Sequence, residues 1–111
     1  MPAQQSGTIL LVEDDLIYQD LFAQVITNLP DKWNIDIAQD GASAIAKLAN
    51  PSQSYGLALI DIGLPDMSGL DVILAFRKKF AAAPILVTTT FSSEKTLLTA
   101  IRSGAHGYIL K

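Results

Sequence analysis

Short runs of apolar residues, separated by stretches with the spacing of helices, constrain this chain more than any other feature. Thr8 to Val12, Trp33 to Ala38, Leu57 to Ile60, Ile85 to Val87 and Gly107 to Leu110 read as strands. Between them, apolar residues recur at helical intervals. Ile17, Leu21, Phe22, Val25, Ile26 and Leu29 mark a helix from Leu16 to Leu29 and are expected in the core. Asp15 is its N-cap and Pro30 closes it. Asp40 caps a helix through Asn50 with Ile45, Leu48 and Ala49 as its apolar face, and Pro51 to Gly56 is a loop. Ser68 caps a helix through Phe80. Ser93 caps another from Glu94 to Ser103, with Gly104 suited to the left-handed position that follows. Trp33 is expected to pack at the start of its strand, and His106, in a glycine-flanked turn, to be exposed and functionally silent.

Strands apolar throughout, rather than alternating, belong in a parallel sheet covered by helices on both faces. The order is (βα)₄β, an open, doubly wound α/β sheet. Right-handed crossovers place the C-terminal end of every strand on one edge, where such folds bind ligands. That edge is polar. Glu13, Asp14 and Asp15 follow the first strand, Asp61 ends the third, Thr88 to Thr90 end the fourth and Lys111 ends the fifth.

Composition removes several alternatives. The chain has 111 residues, enough for one domain, and half of them are hydrophobic, enough for a core. Eight basic against eleven acidic residues leave a net charge of −3, so direct nucleic-acid binding is not expected. Without cysteine there is no disulfide, thiol nucleophile or thiolate-bound metal. No apolar run is long enough to span a membrane, and residues 1–7 read as a flexible lead-in, not a signal peptide. A cytoplasmic location is expected.

Carboxylates converging at the strand ends repel one another and invite a divalent cation. Oxygen-only ligands favour Mg²⁺ or Mn²⁺ over zinc. An ammonium from Lys111 and a hydroxyl from Thr89 beside Asp61 would suit a transferring phosphoryl group, whose oxygens carry the charge. Asp61 would then be the nucleophile. Each residue also has a plainer reading: an acidic helix start, a turn aspartate, threonines of β-propensity and a solvated lysine.

The ordered set Leu-Leu-Val-Glu13-Asp14-Asp15, Leu-Ile-Asp61-Ile-Gly-Leu-Pro65-Asp-Met-Ser-Gly69, Thr88-Thr89-Thr90 and Gly107-Tyr108-Ile-Leu-Lys111 resembles the receiver domains of two-component response regulators. The resemblance covers residues 8–111. It implies a flavodoxin-like five-stranded sheet of order 2-1-3-4-5. It implies that Glu13, Asp14, Asp61 and the Gly63 carbonyl hold Mg²⁺ or Mn²⁺, that Asp61 accepts a phosphoryl group from a sensor histidine kinase or phosphotransfer protein, and that Lys111 binds it. Thr89 matches the switch hydroxyl and Tyr108 the switch aromatic; strand alternation puts Thr88 and Thr90 on the face opposite Thr89. Gly63 and Phe91 occupy the positions that tune phosphoryl lifetime, and slow hydrolysis is expected from them. The chain is then a phosphoacceptor and not an enzyme in the ordinary sense. Val87 to Phe91, with Gly104 to Lys111, is most similar to receivers joined to LuxR/NarL-type helix-turn-helix domains, which implies transcription control through an output domain.

Receivers continue past the lysine with a fifth helix, and this sequence stops at Lys111. The expectation is a domain truncated after its fifth strand, with the final helix missing, one sheet face open and a homodimer formed through it. A pseudo-receiver acting only as an interaction module is the alternative. A haloacid-dehalogenase-like phosphatase would need an acid at position 63, which is glycine. A nucleotide-binding domain would need a glycine-rich phosphate loop, and none is present.

Overall fold

The computed structural model describes residues 5–90 and 94–111, with side chains from residue 7 onward. In chain order the elements are β1 (Gln5–Val12), α1 (Leu16–Thr27), β2 (Lys32–Ala38), α2 (Gly41–Ala49), β3 (Leu57–Asp61), α3 (Gly69–Lys79), β4 (Ile85–Thr89), α4 (Glu94–Arg102) and β5 (Gly107–Leu110). The strands form one parallel sheet of order β2-β1-β3-β4-β5, as expected.

Helix starts follow local chemistry. Asp15 accepts from the Ile17 and Tyr18 amides, Asp40 from Ser43 and Ser68 from Leu70, each satisfying donors that a first turn leaves unpaired. Ser93, the expected cap of α4, lies outside the described residues. Gly104 has φ +123° and ends the α4 turn, a conformation that residues with a Cβ rarely adopt. Boundaries shift by a few residues. β1 starts at Gln5, not Thr8, because Gln5 pairs with Lys32 across an irregularity that contains Gly7. Asn28 ends α1 before Leu29, its amide turned back onto Gln24 and Val25.

The two sheet faces are unequal. One carries Leu10, Val12, Ala58, Ile60, Ile85 and Val87 against α2, α3 and α4, with Phe76 and Ile73 fully buried. Each such side chain contributes roughly 1.5–3 kcal/mol by leaving water. The other carries Ile9, Leu11 and Leu59 against Ile26 of α1, with Phe22, Trp33 and Leu86 packed beside them. Among the described residues α1 is the only helix there.

Two core expectations need correction. Of the helix-spaced residues from Ile17 to Leu29, Ile26 is buried and Phe22 is half-buried, whereas Ile17, Leu21, Val25 and Leu29 are exposed. A helix with no helical neighbour buries only the stripe that touches the sheet. On α2 the buried face is Ala44 and Leu48; Ala49 is exposed.

Candidate functional site

Backbone pairing continues one step past the regular ladders and sets the site. Glu13 N–H donates to the Ala38 carbonyl, Ile62 N–H to Thr88 and Lys111 N–H to Thr89. These bonds hold the ends of β1, β3 and β5 level at the C-terminal edge. Pleat alternation then sorts the side chains: Glu13 follows Ile9 and Leu11 onto the α1 face, and Lys111 follows Gly107, which packs against Leu86 of that face.

A cavity of about 310 Å³ opens at this edge, lined by Glu13, Asp14, Asp61, Gly63, Thr89 and Lys111 among others. The expected residues do converge. Lys111 Nζ lies 2.9 Å from Glu13 Oε1 and 3.2 Å from Asp61 Oδ2. Glu13 is fully buried, Asp61 nearly so, and Asp14 is exposed. Glu13 Oε2 also accepts from the Asp15 amide, and Asp61 Oδ1 accepts from the Gly63 amide at 3.0 Å.

Burial pushes the Glu13 carboxyl above the usual range. Its bonds to Lys111 and to the Asp15 amide oppose the rise, while the Asp61 charge adds to it. For Lys111 burial works against the charged form, but the bond to Glu13 and the charges of Asp61 and Glu13 outweigh it and raise the ammonium above its ordinary value. Lys111 therefore stays charged, between two carboxylates. Glu13, Asp14 and Asp61 each bring one oxygen within 4.8 Å of the others. Three oxygen donors of mixed burial, with like charges pressed together, fit a small hard cation.

Thr89 lines the cavity and Thr88 is buried away from it, as alternation predicts. Thr90 departs from the expectation: β4 ends at Thr89, alternation stops there, and Thr90 also faces the cavity. Tyr108 pairs with Val87 and is 48% exposed, outside the cavity. A Cβ at Gly63 would sit 3.8 Å from Asp61 Oδ1, so a side chain at that position would border the acceptor. Phe91 lies outside the described residues.

Several residues around this site have partners that the sequence did not reveal. Asp66 accepts from the Gly41 and Ala42 amides at 2.8 and 2.9 Å, which ties the loop after Asp61 to the start of α2 and holds its carboxyl below the usual range. In the sequence it looks like an ordinary turn aspartate. Gly69 has no room for a side chain: a Cβ would lie 2.2 Å from the Asp61 carbonyl oxygen. Gln19 bonds the Glu13 carbonyl, and the Tyr18 ring lies over Lys111. At the opposite end of the sheet, Arg77 binds the carbonyls of Phe80, Ala81, Ala83 and Gly104. His106 is exposed as expected, and its Nδ1 accepts from the Ile85 amide.

Comparison with known proteins agrees with this geometry. The response regulator receiver domain model matches residues 9–111. The nitrate/nitrite response regulator NarL of Escherichia coli is 33% identical over 111 residues, which is all of this chain and 50% of NarL. The chain spans about half the length of the curated relatives it matches. A CheY-like receiver from Methanospirillum hungatei superposes with a TM-score of 0.84 at 28% identity, covering 95% of this chain and 81% of that one. The response regulator TrrA of Thermotoga maritima, solved in complex with Mg²⁺-BeF, gives 0.79 at 30% identity, covering 95% and 86%. No described helix is long and apolar enough to cross a membrane. With the sheet order, the acidic edge and the lysine all in register, the chain belongs to the response regulator receiver domain family, a family of two-component signalling switches.

Proposed function

We propose that this chain accepts a phosphoryl group on Asp61 from the phosphohistidine of a sensor histidine kinase or phosphotransfer protein in the cytoplasm. The observation that carries the reading is the charged Lys111 bridging Asp61 and Glu13 beside the exposed carboxylate of Asp14. Attack by Asp61 forms a P–O bond as the donor's P–N bond breaks, and the imidazole leaves with the electron pair. Lys111 turns one or more N–H groups from carboxylate to phosphoryl oxygens, and Thr89 offers its hydroxyl to another. Glu13, Asp14, Asp61 and the Gly63 carbonyl would hold Mg²⁺ or Mn²⁺. When bound, the ion neutralises charge on the transferring oxygens.

The modification adds negative charge and acceptor oxygens where Lys111 and Thr89 stand. Thr89 turns toward them, and Tyr108, half-exposed on β5, follows inward and reshapes the α4–β5 surface. Output is transcription control through a further domain that does the DNA binding, and the protein acts as a homodimer. Thr89→Ala should accept phosphate but fail to alter the environment of Tyr108, read by NMR.

Intact-mass spectrometry tests the reaction. The chain and Asp61→Asn are incubated with a small acyl phosphate and Mg²⁺. One phosphoryl adduct in the parent alone, lost on chelation, is expected. No adduct in the parent would overturn the reading and leave a pseudo-receiver interaction module.

A further inference from the structure

The Lys111 ammonium has three N–H donors. Two are met by Glu13 Oε1 and Asp61 Oδ2. The Tyr18 ring lies 4.5 Å from the same nitrogen, measured to its centroid, and the lysine side chain is left 3% exposed. Tyr18 is the one aromatic residue among the described residues that line the acidic cavity.

The ring is itself held in place. Tyr18 lies in the first turn of α1, where its amide donates to Asp15. One turn later Phe22 packs on the sheet, with its ring centre 6.3 Å from that of Tyr18. Sheet alternation puts Glu13 and Lys111 on the α1 face, so the first turn of α1 is the part of the fold that can roof the ammonium.

We propose that Tyr18 is a positioning residue for phosphoryl transfer, its ring face holding the Lys111 ammonium over Asp61. The proposal rests on the phosphoacceptor reading above. A ring face attracts a cation through its quadrupole and, unlike a single hydrogen bond, tolerates lateral movement. As phosphoryl oxygens draw the ammonium off Glu13, Tyr18 keeps it desolvated and in contact. The charge is thus delivered from an ammonium shielded from water, where it acts most strongly on the transferring group. A leucine would fill similar space without attracting charge, which separates this role from packing.

The test is the initial rate of Asp61 phosphorylation against acyl-phosphate concentration, in the parent and in Tyr18→Phe, Tyr18→Trp and Tyr18→Leu. Tyr18→Phe and Tyr18→Trp should stay within about twofold of the parent. Tyr18→Leu should lower the maximal rate about three- to tenfold, with half-saturation little changed. A second readout needs no activity: ring currents should shift the Lys111 ε-methylene protons upfield in the parent and Tyr18→Phe, and not in Tyr18→Leu. Rescue by both aromatic variants supports the proposal even if Tyr18→Leu is less stable. A Tyr18→Leu rate equal to the parent overturns it, as does a Tyr18→Phe rate as slow as Tyr18→Leu. A parent that takes no phosphoryl group, with the ring-current shift present, defeats the phosphoacceptor reading instead.

Discussion

Two glycines show how space around one aspartate is allotted. Gly69 approaches the Asp61 backbone so closely that a methyl group would fall 2.2 Å from its carbonyl oxygen and 2.7 Å from the Ile62 Cα. Backbone cannot yield there as a flexible side chain would. Gly69→Ala should therefore cost about 2 kcal/mol or more, seen as a lower thermal midpoint, with the loop after Asp61 displaced. Gly63 is the opposite case. Its missing side chain leaves open space beside Asp61 Oδ1. An amide at that position could orient a water toward the acyl phosphate, so Gly63→Asn should shorten the phosphoryl lifetime severalfold, measured by loss of the mass adduct after donor removal. An unchanged lifetime would take Gly63 out of that role.

At the scale of elements, β2 is fastened to the helical layer by a polar cluster absent from the sequence reading. Asp36 on β2 accepts from Lys47 of α2, from Gln53 and from the buried Tyr55 hydroxyl. The Tyr55 ring packs on Phe76 and Phe80 of the α3 end. Burial, then the bond to Asp36, pushes Tyr55 up to about 12. The folded state thus holds the phenolic proton that the unfolded chain releases near the ordinary value of 10.0. This contribution to stability is complete below pH 10 and is lost as pH rises toward 12. Asp36 runs the other way. Burial opposes its ionisation, but Lys47 and Tyr55 outweigh that and hold it below 3.8, so its contribution is present above 3.8 and fades below. Denaturant titrations should show a stability loss between pH 10 and 12 that Tyr55→Phe largely removes. Tyrosinate absorbance should show a late-titrating phenol in the parent that Tyr55→Phe lacks.

For the whole molecule, the unequal faces matter most. Among the described residues, three helices cover one side of the sheet and α1 stands alone on the other. Leu21 and Val25 of α1 and Ile109 of β5 are left 49%, 61% and 39% exposed. Exposed apolar surface of this kind favours association. Light scattering should show the average mass rising with concentration, and Leu21→Glu with Val25→Lys should restore a monomer. A monodisperse monomer of the parent at high concentration would refute this.

The succession of strands and helices, the N-caps Asp15, Asp40 and Ser68, and the polar residues at the strand ends were legible in the sequence because they depend on local rules, whereas the strand order followed from the resemblance to receiver domains. Apolar runs, capping side chains and the alternation of β and α determine them before any packing occurs. The burial of α1 was not legible. Periodicity shows that a helix has an apolar side, but which part is covered depends on how many neighbours it meets. The partners of Asp66, Gly69, Arg77 and Tyr18 were not legible for a related reason. Each acts on a residue brought near by folding: Asp66 on Gly41, Gly69 on Asp61, Arg77 on Gly104 and Tyr18 on Lys111. The sequence by itself determined the sheet and the chemistry carried to its edge. Only the tertiary structure decided which charges touch, which face stays open and what roofs the lysine, because those outcomes depend on distances between segments that the order of residues does not contain.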